Sequence, residues 1–310
     1  MIKIFGHKAP DTDTVCSALA YAWFKNKTGT EAEGYRLGDL NKETKYVLNH
    51  FDIESPQLLT SLNKGDQVII VDTNNVDELP ENINDAEILE IVDHQKRTGS
   101  LSTYKPIPVI IKPIASTATI IWKHIKHSGV EIEKSIAGLL LAGIVSDTLK
   151  LTSPTTTEKD RSAIEELLNI TGENLETLAD EMFAAKGDLT GMSARDVLLV
   201  DSKIFEMGSN KVRVSVLEST KPENALSMKE DLLKDMAELK AEEGLNYLFF
   251  FAIDILNSEA TLLTETDIEK ELASKAFDNT FKEDLMTLPG VVSRKKQIIP
   301  SLQPVVESEG

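Results

Sequence analysis

This 310-residue chain predicts an α/β protein in two domains, the first built on a parallel sheet. Three observations predict it. In the first half, short apolar runs alternate with helical patterns, as parallel strands joined by crossover helices require. Around residues 186–193 the alternation lapses into Gly187, Asp188, Gly191 and Ser193, the composition of an inter-domain linker. A second set of strands and helices follows, about a third of the chain within the usual boundary error.

The first apolar run, 2–5, meets a Pro-containing turn before the helical pattern of 14–27, giving strand, loop and helix in order. Further strands are expected at 32–37, 67–71, 87–92 and 109–111. Helices are expected at 42–50, 117–127, 132–149, 158–168 and 175–185, with Ser153 and Pro154 turning the chain into the helix at 158. After the linker, strands fall at 203–206, 211–217, 247–255 and 260–263, with a long helix across 222–242 and another near 267–277. The expected domains are 1–187 and 194–310, with 188–193 as a hinge.

Hydrophobic residues make up 41% of the chain and charged residues 27%, the balance of a globular protein with a sizeable core. A net charge of −18 argues against a nucleic-acid surface, which needs a basic stripe. It permits a small anionic substrate if the cations gather locally. Cys16 is the sole cysteine, so there is neither a disulfide framework nor a thiolate metal site. With no signal peptide and no apolar run long enough to span a bilayer, no membrane association is expected and the cytoplasm is the expected compartment.

The chemistry gathers at strand ends. GHKAPDTD places His7, Asp11 and Asp13 in a loop after the first strand, where one imidazole and two carboxylates can converge. VIIVDTNN ends an apolar run on Asp72, and EIVDHQ ends another on Asp93 and His94. LLLAGIVSDT carries Asp147 at the end of an apolar helix, where a carboxylate needs a cation. Any one of these acids alone reads as a cap or turn residue. Together, two imidazoles and four or five carboxylates meet at one sheet edge. Oxygen and nitrogen donors without thiolate suit manganese, magnesium, cobalt or zinc, with manganese or cobalt favoured. So many carboxylates favour a pair of ions roughly 3.5–4 Å apart. By contrast His124 and His127, beside Lys123 and Lys126, read as a solvated cationic helix end.

GHKAPDTD, IVDT, IVDHQ, IVSDT and GVVSRKKQIIP, in this order over essentially the whole chain, resemble the family II inorganic pyrophosphatases, the manganese-dependent branch of the DHH phosphoesterases. The resemblance implies a DHH domain and a smaller α/β DHHA2-type domain, with the active site in the cleft between them. It implies a homodimer through the first domain and two Mn2+ ions. It further implies that Co2+ could substitute and that an additional Mg2+ or Mn2+ would arrive with pyrophosphate. His7, Asp11 and Asp72 would hold one ion, and Asp13, Asp72, His94 and Asp147 the other. Asp93 would orient a neighbouring ligand. Lys203 in DSKIF, with Arg294 and Lys295 in SRKK, would grip the substrate phosphates, Arg294 as a planar fork and Lys295 as a point charge. The apolar flanks of SRKK suggest an anchored strand or loop. The implied reaction is attack on phosphorus by a metal-bridged hydroxide, with Asp13, Asp72 and Gln95 in the catalytic set.

The chain departs from the family where Asp93-His94-Gln95 replaces Asp-His-His. Gln95 can donate a hydrogen bond to substrate, but it cannot give up a proton near neutral pH. The substitution is compatible with a catalytically weakened member that binds metal and phosphate. The motifs also admit an exopolyphosphatase or another DHH phosphoesterase. The nucleotide-degrading branch carries adjacent glycines, and this chain has none.

Overall fold

The computed structural model describes residues 1–99 and 101–308. The chain divides into two compact units, Met1–Ala185 and Lys186–Gly310. In the first, β1 (Ile2–Phe5), β2 (Ala32–Arg36), β3 (Gln57–Leu58), β4 (Gln67–Val71), β5 (Glu87–Asp93) and β6 (Val109–Ile111) form one sheet in the order β3-β2-β1-β4-β5-β6. Every pairing is parallel. Ile4, Ile70, Val71 and Val92 are fully buried, as parallel strands covered on both faces should be. The helices are α1 (Thr12–Lys27), α2 (Lys42–His50), α3 (Thr117–Ser128), α4 (Lys134–Asp147), α5 (Glu158–Thr171) and α6 (Leu175–Lys186). Apolar on every side, α4 is buried from Ile136 through Ser146.

The sheet is wound outwards from β1 to β3 and then resumes on the other side of β1 with β4. Such a reversal opens a crevice outside the carboxyl ends of the strands, where α/β sheets bind ligands. His7 follows β1, Asp72 follows β4, and Asp93 and His94 close β5. The backbone there is packed tightly. A Cβ on Gly6 would meet Thr14 Cγ2 at 2.6 Å, and one on Gly143 would meet Asp13 Oδ1 at 2.8 Å.

The second unit contains α7 (Ala194–Leu199), β7 (Asp201–Met207), β8 (Asn210–Ser219), α8 (Glu223–Leu226), α9 (Lys229–Glu243), β9 (Tyr247–Asp254), β10 (Glu259–Leu263), α10 (Asp267–Phe277), β11 (Leu285–Pro289) and α11 (Ile299–Glu307). Its sheet runs β11-β10-β9-β8-β7, and β8–β9 is the parallel pair. Side chains on β9 alternate between two cores. Phe249 and Phe251 pack with Leu272 and Leu302 on one face, and Phe250 packs with Leu198 and Met236 on the other. Among the described residues no helix is long and apolar enough to cross a membrane.

Two sequence expectations need correction here. The helix expected across 222–242 is interrupted at Ser227 and Met228, where the Ser227 hydroxyl donates to the Asn224 carbonyl and Leu226 and Met228 both turn into the core. The strand or loop expected around SRKK is replaced by a wide helical turn, Arg294–Ile298, running into α11. Pro300 occupies the first turn of α11, where its fixed φ suits a helix start. The short elements β3 and α7 and the terminal β11 carry too little periodicity to be seen beforehand.

Candidate metal centre

Asp11 caps α1, its Oδ1 accepting the Thr14 N–H at 2.9 Å. This cap starts the helix at Thr12, two residues earlier than expected. Asp13 consequently stands in the first helical turn, and the loop that was to hold all three ligand-type residues holds His7 and Asp11. Asp72 leaves β4 with φ at 59°, a left-handed conformation that Asp tolerates better than most residues. Its N–H donates to the Val92 carbonyl at 2.9 Å, and its own carbonyl accepts from Gln95 Nε2 at 3.2 Å. Asp147 is the last residue of α4, and three left-handed residues, Leu149 to Leu151, turn the chain away after it.

These element ends bring six side chains into two overlapping groups. His7, Asp11 and Asp72 set three donor atoms within 4.8 Å of one another; Asp13, Asp72, His94 and Asp147 set four. Asp72 belongs to both, and its oxygens divide between them. Its Oδ2 lies 3.5 Å from His7 Nε2, and its Oδ1 lies 3.3 Å from His94 Nε2. Asp11 Oδ2 is 3.5 Å from His7 Nε2, and Asp147 Oδ2 is 3.6 Å from His94 Nε2. Donors on one ion at about 2.1 Å stand about 3.0 Å apart in cis octahedral positions and about 3.4 Å apart in tetrahedral ones. Each group fits one divalent ion with little movement, and Asp72 fits between two.

The surrounding residues fix these donors. Asp13 accepts hydrogen bonds from Ser116 Oγ at 2.8 Å and from the N–H groups of Thr117 and Ala118 at 2.7 and 3.0 Å, all at the start of α3. The hydroxyls of Thr14 and Thr117 donate to Asp72. His94 donates through Nδ1 to the Ile114 carbonyl at 3.1 Å, which turns Nε2 towards the carboxylates. Sequence reading missed all of these supports, because each is made across the fold. Asp93, expected to orient a neighbouring ligand, grips the backbone beside His94, its Oδ1 accepting the N–H of His94 at 2.7 Å and of Gln95 at 2.9 Å, and its Oδ2 accepting from Asn74. Asp93→Ala is expected to loosen this loop and weaken metal binding roughly 10–100-fold, measured by chelator competition. An unchanged affinity would remove Asp93 from the support of the site.

The protein's own charges do not settle this cluster. Burial opposes charge on His7, but the hydrogen bonds and charges of Asp11 and Asp72 lift it to about 10. Burial likewise opposes charge on His94, and Asp72 and Asp13 lift it to about 9. Burial opposes ionisation of Asp72, yet the two imidazoles hold it well below the usual carboxylate range. Burial and the charge of Asp72 push Asp13 up to about 7, and burial and the charges of Asp13, Asp11 and Asp72 push Asp147 well above its ordinary value. Protons here occupy the role a divalent cation would take. With chelator present, each group raised in the fold holds its proton more tightly folded than unfolded. Their stabilising effect is therefore lost as pH rises, from about 4 to about 7 for Asp13, from about 6.5 to about 9 for His94 and from about 6.5 to about 10 for His7. Metal affinity is expected to rise over the same range, with more than one proton released per chain at neutral pH. Calorimetry in buffers of different ionisation enthalpy measures this; a pH-independent affinity would contradict it.

In the second unit, Lys203, Arg294 and Lys295 line one cavity of about 510 Å3 with Asp201 and Glu218. Arg294 is not the free fork expected from sequence. It donates to Asp201 Oδ1 at 2.7 Å and to the Asp201 carbonyl at 2.9 Å, which holds it against β7. Burial and Asp201 raise the Glu218 carboxyl above its ordinary range. Gln297, missed in the sequence, clamps this loop: its Oε1 accepts the N–H groups of Val292 and Ser293, and its Nε2 donates to the Gly290 carbonyl at 2.7 Å. Gln95 itself is exposed beside Asp72 in the first unit.

A parallel sheet carrying His and Asp clusters at its switch point, followed by a mixed-sheet unit, defines a DHH phosphoesterase. Residues 1–144 match the DHH family N-terminal domain, and residues 180–305 match the DHHA2 domain. The chain is 40% identical over 302 residues to a protein of Bacillus licheniformis named a probable manganese-dependent inorganic pyrophosphatase, covering 97% of each. It is 39% identical over 300 residues to one of the same name from Staphylococcus haemolyticus, covering 96% of each. A crystal structure from Methanococcus jannaschii, provisionally assigned to the family II inorganic pyrophosphatases, superposes with a TM-score of 0.68 at 32% identity, covering 98% of this chain and 99% of that one. An exopolyphosphatase-related protein from Bacteroides fragilis shares the fold, with a TM-score of 0.51 at 16% identity. The chain belongs to the family II inorganic pyrophosphatases.

Proposed function

We propose that this protein hydrolyses inorganic pyrophosphate to two phosphates at a centre of two manganese ions, with cobalt able to replace them. The division of the Asp72 oxygens between two donor groups carries this reading, because a single-ion site has no use for it. His7, Asp11 and Asp72 would hold one ion; Asp13, Asp72, His94 and Asp147 would hold the other. Two such ions supply water acidified towards neutral pH and neutralise phosphoryl charge.

The chain's own residues do the rest. Asp13 and Asp72 keep the donor groups in place, backed by α3 and the Thr14 hydroxyl. Lys203, Arg294 and Lys295 bind the phosphates and offset the negative field of a chain carrying −18. Asp201 takes one N–H from each terminal nitrogen of Arg294 and holds the guanidinium in place, so a phosphate would be met by the other N–H groups with little freedom lost. Gln95 donates an amide N–H to substrate but delivers no proton to the leaving phosphate.

The same reading takes domains 1–187 and 194–310 to move about residues 188–193. It also takes the protein to be cytoplasmic, a homodimer through the first domain, and without affinity for nucleic acid. Family resemblance supports the dimer and the net charge supports the last point. Phosphate release from pyrophosphate by purified, manganese-loaded protein tests the function. Steady release supports it; background release with polyphosphate cleaved instead would overturn it in favour of an exopolyphosphatase.

A further inference from the structure

A second cationic cluster lies in the first unit; it shares no side chain with the donors of the metal centre, but Ile114 on its wall also accepts from His94 Nδ1. Lys112, Lys123, His124, His127 and Lys159 surround a cavity of about 260 Å3 floored by Ile114 and Ile120. Six other lysines of this unit, Lys3, Lys25, Lys27, Lys105, Lys126 and Lys150, each pair with a carboxylate. Among the described residues, Lys112, Lys123 and Lys159 make no ion pair and no side-chain hydrogen bond. In a chain with 51 acids against 33 bases, three neighbouring lysines without an acid are out of keeping with the average surface.

The acids nearby are already committed. Asp160 is buried and accepts from Thr119, Thr157 and the Ala115 N–H. Glu166 accepts from Trp122 and Lys126. Glu90, which acts on His124, accepts from Tyr21 and Lys25.

We propose that this cavity is a binding site for a small multivalent oxyanion, with inorganic phosphate the ligand that fits it. Lysine ammonium groups act as compact point charges for phosphate, and the two imidazoles add N–H donors on the adjoining turns of α3. The volume admits an ion of this size. Mutual repulsion is the cost of leaving the cations together. Burial, Lys159 and Lys112 lower the Lys123 ammonium, against Asp160 and Glu166, and a bound anion would relieve that.

The test does not depend on catalysis. Manganese-loaded wild-type protein is labelled with a lysine-acetylating reagent at constant ionic strength, with orthophosphate, acetate or chloride as the added anion. Protection of Lys112, Lys123 and Lys159 by orthophosphate is expected to be several-fold, with exposed Lys64 unprotected as control. Equilibrium dialysis of radiolabelled orthophosphate should find one more binding event in wild type than in K112Q/K123Q/K159Q, or that event weakened roughly tenfold or more. Equal phosphate binding in the two proteins would overturn the proposal. So would a lack of protection in wild type, or equal protection by acetate. If pyrophosphate hydrolysis fails while protection holds, the site stands and the functional reading falls.

Discussion

Asp72→Asn is expected to lower kcat/KM for pyrophosphate by at least about a thousandfold. The substitution keeps the shape of the side chain and removes the one carboxylate that serves both donor groups. Its effect therefore reaches two metal positions, where the loss of several kcal/mol corresponds to three or more decades at about 1.4 kcal/mol per decade. It also leaves His7 and His94 without the partner that draws their Nε2 atoms together, and an amide nitrogen faces the hydroxyl of Thr14 or Thr117 where an acceptor is required. Asp11→Asn is the contrast. Asp11 is half-exposed and belongs to one group, so its loss should be smaller and confined to one ion. Phosphate release and manganese content after dialysis measure both. An Asp72→Asn protein that keeps two ions and most of its rate would contradict the shared-ligand geometry.

Gln95→His is expected to act in the other direction, raising kcat about a hundredfold. A general acid contributes roughly 10²–10⁴ to a rate, and an imidazole with an ordinary pKa near 6.5 is suited to give its proton near neutrality. Gln95 is exposed, so the larger ring has room. KM should change little, because an imidazole N–H replaces an amide N–H as donor. The rate should also acquire a new alkaline limb as the histidine loses its proton. Gln95→Ala should fall below wild type, having lost both the substrate contact and the hydrogen bond that braces the left-handed Asp72 carbonyl. If Gln95→His leaves the rate and its pH profile unchanged, proton donation is not what this position lacks.

The donor cluster was legible in the sequence because several of its members stand at or next to the end of an apolar run. Asp72 and Asp93 stop buried strands and Asp147 stops a buried helix, and parallel winding carries such ends to one edge. What holds the ligands was not legible. Ser116, Thr117 and Ala118 reach Asp13 across more than a hundred residues of chain, and the orienting group for His94 is a backbone carbonyl, at Ile114, which has no side-chain signature at all. Arg294 meets Asp201 only because β7 passes beside the turn before α11. Local rules misled where a residue could serve either of two purposes. Asp11 as a helix cap moved Asp13 out of the loop, and Pro300 marks a helix start where a proline elsewhere marks a break.

Anomalous diffraction at the manganese edge, from crystals of manganese-loaded protein, tests the shared centre most directly. Two peaks per chain are expected at the switch point between β1 and β4, roughly 3.5–4 Å apart. One should be bound by His7 and Asp11, the other by Asp13, His94 and Asp147, with Asp72 between them. A single peak, or two peaks without Asp72 in common, would contradict it.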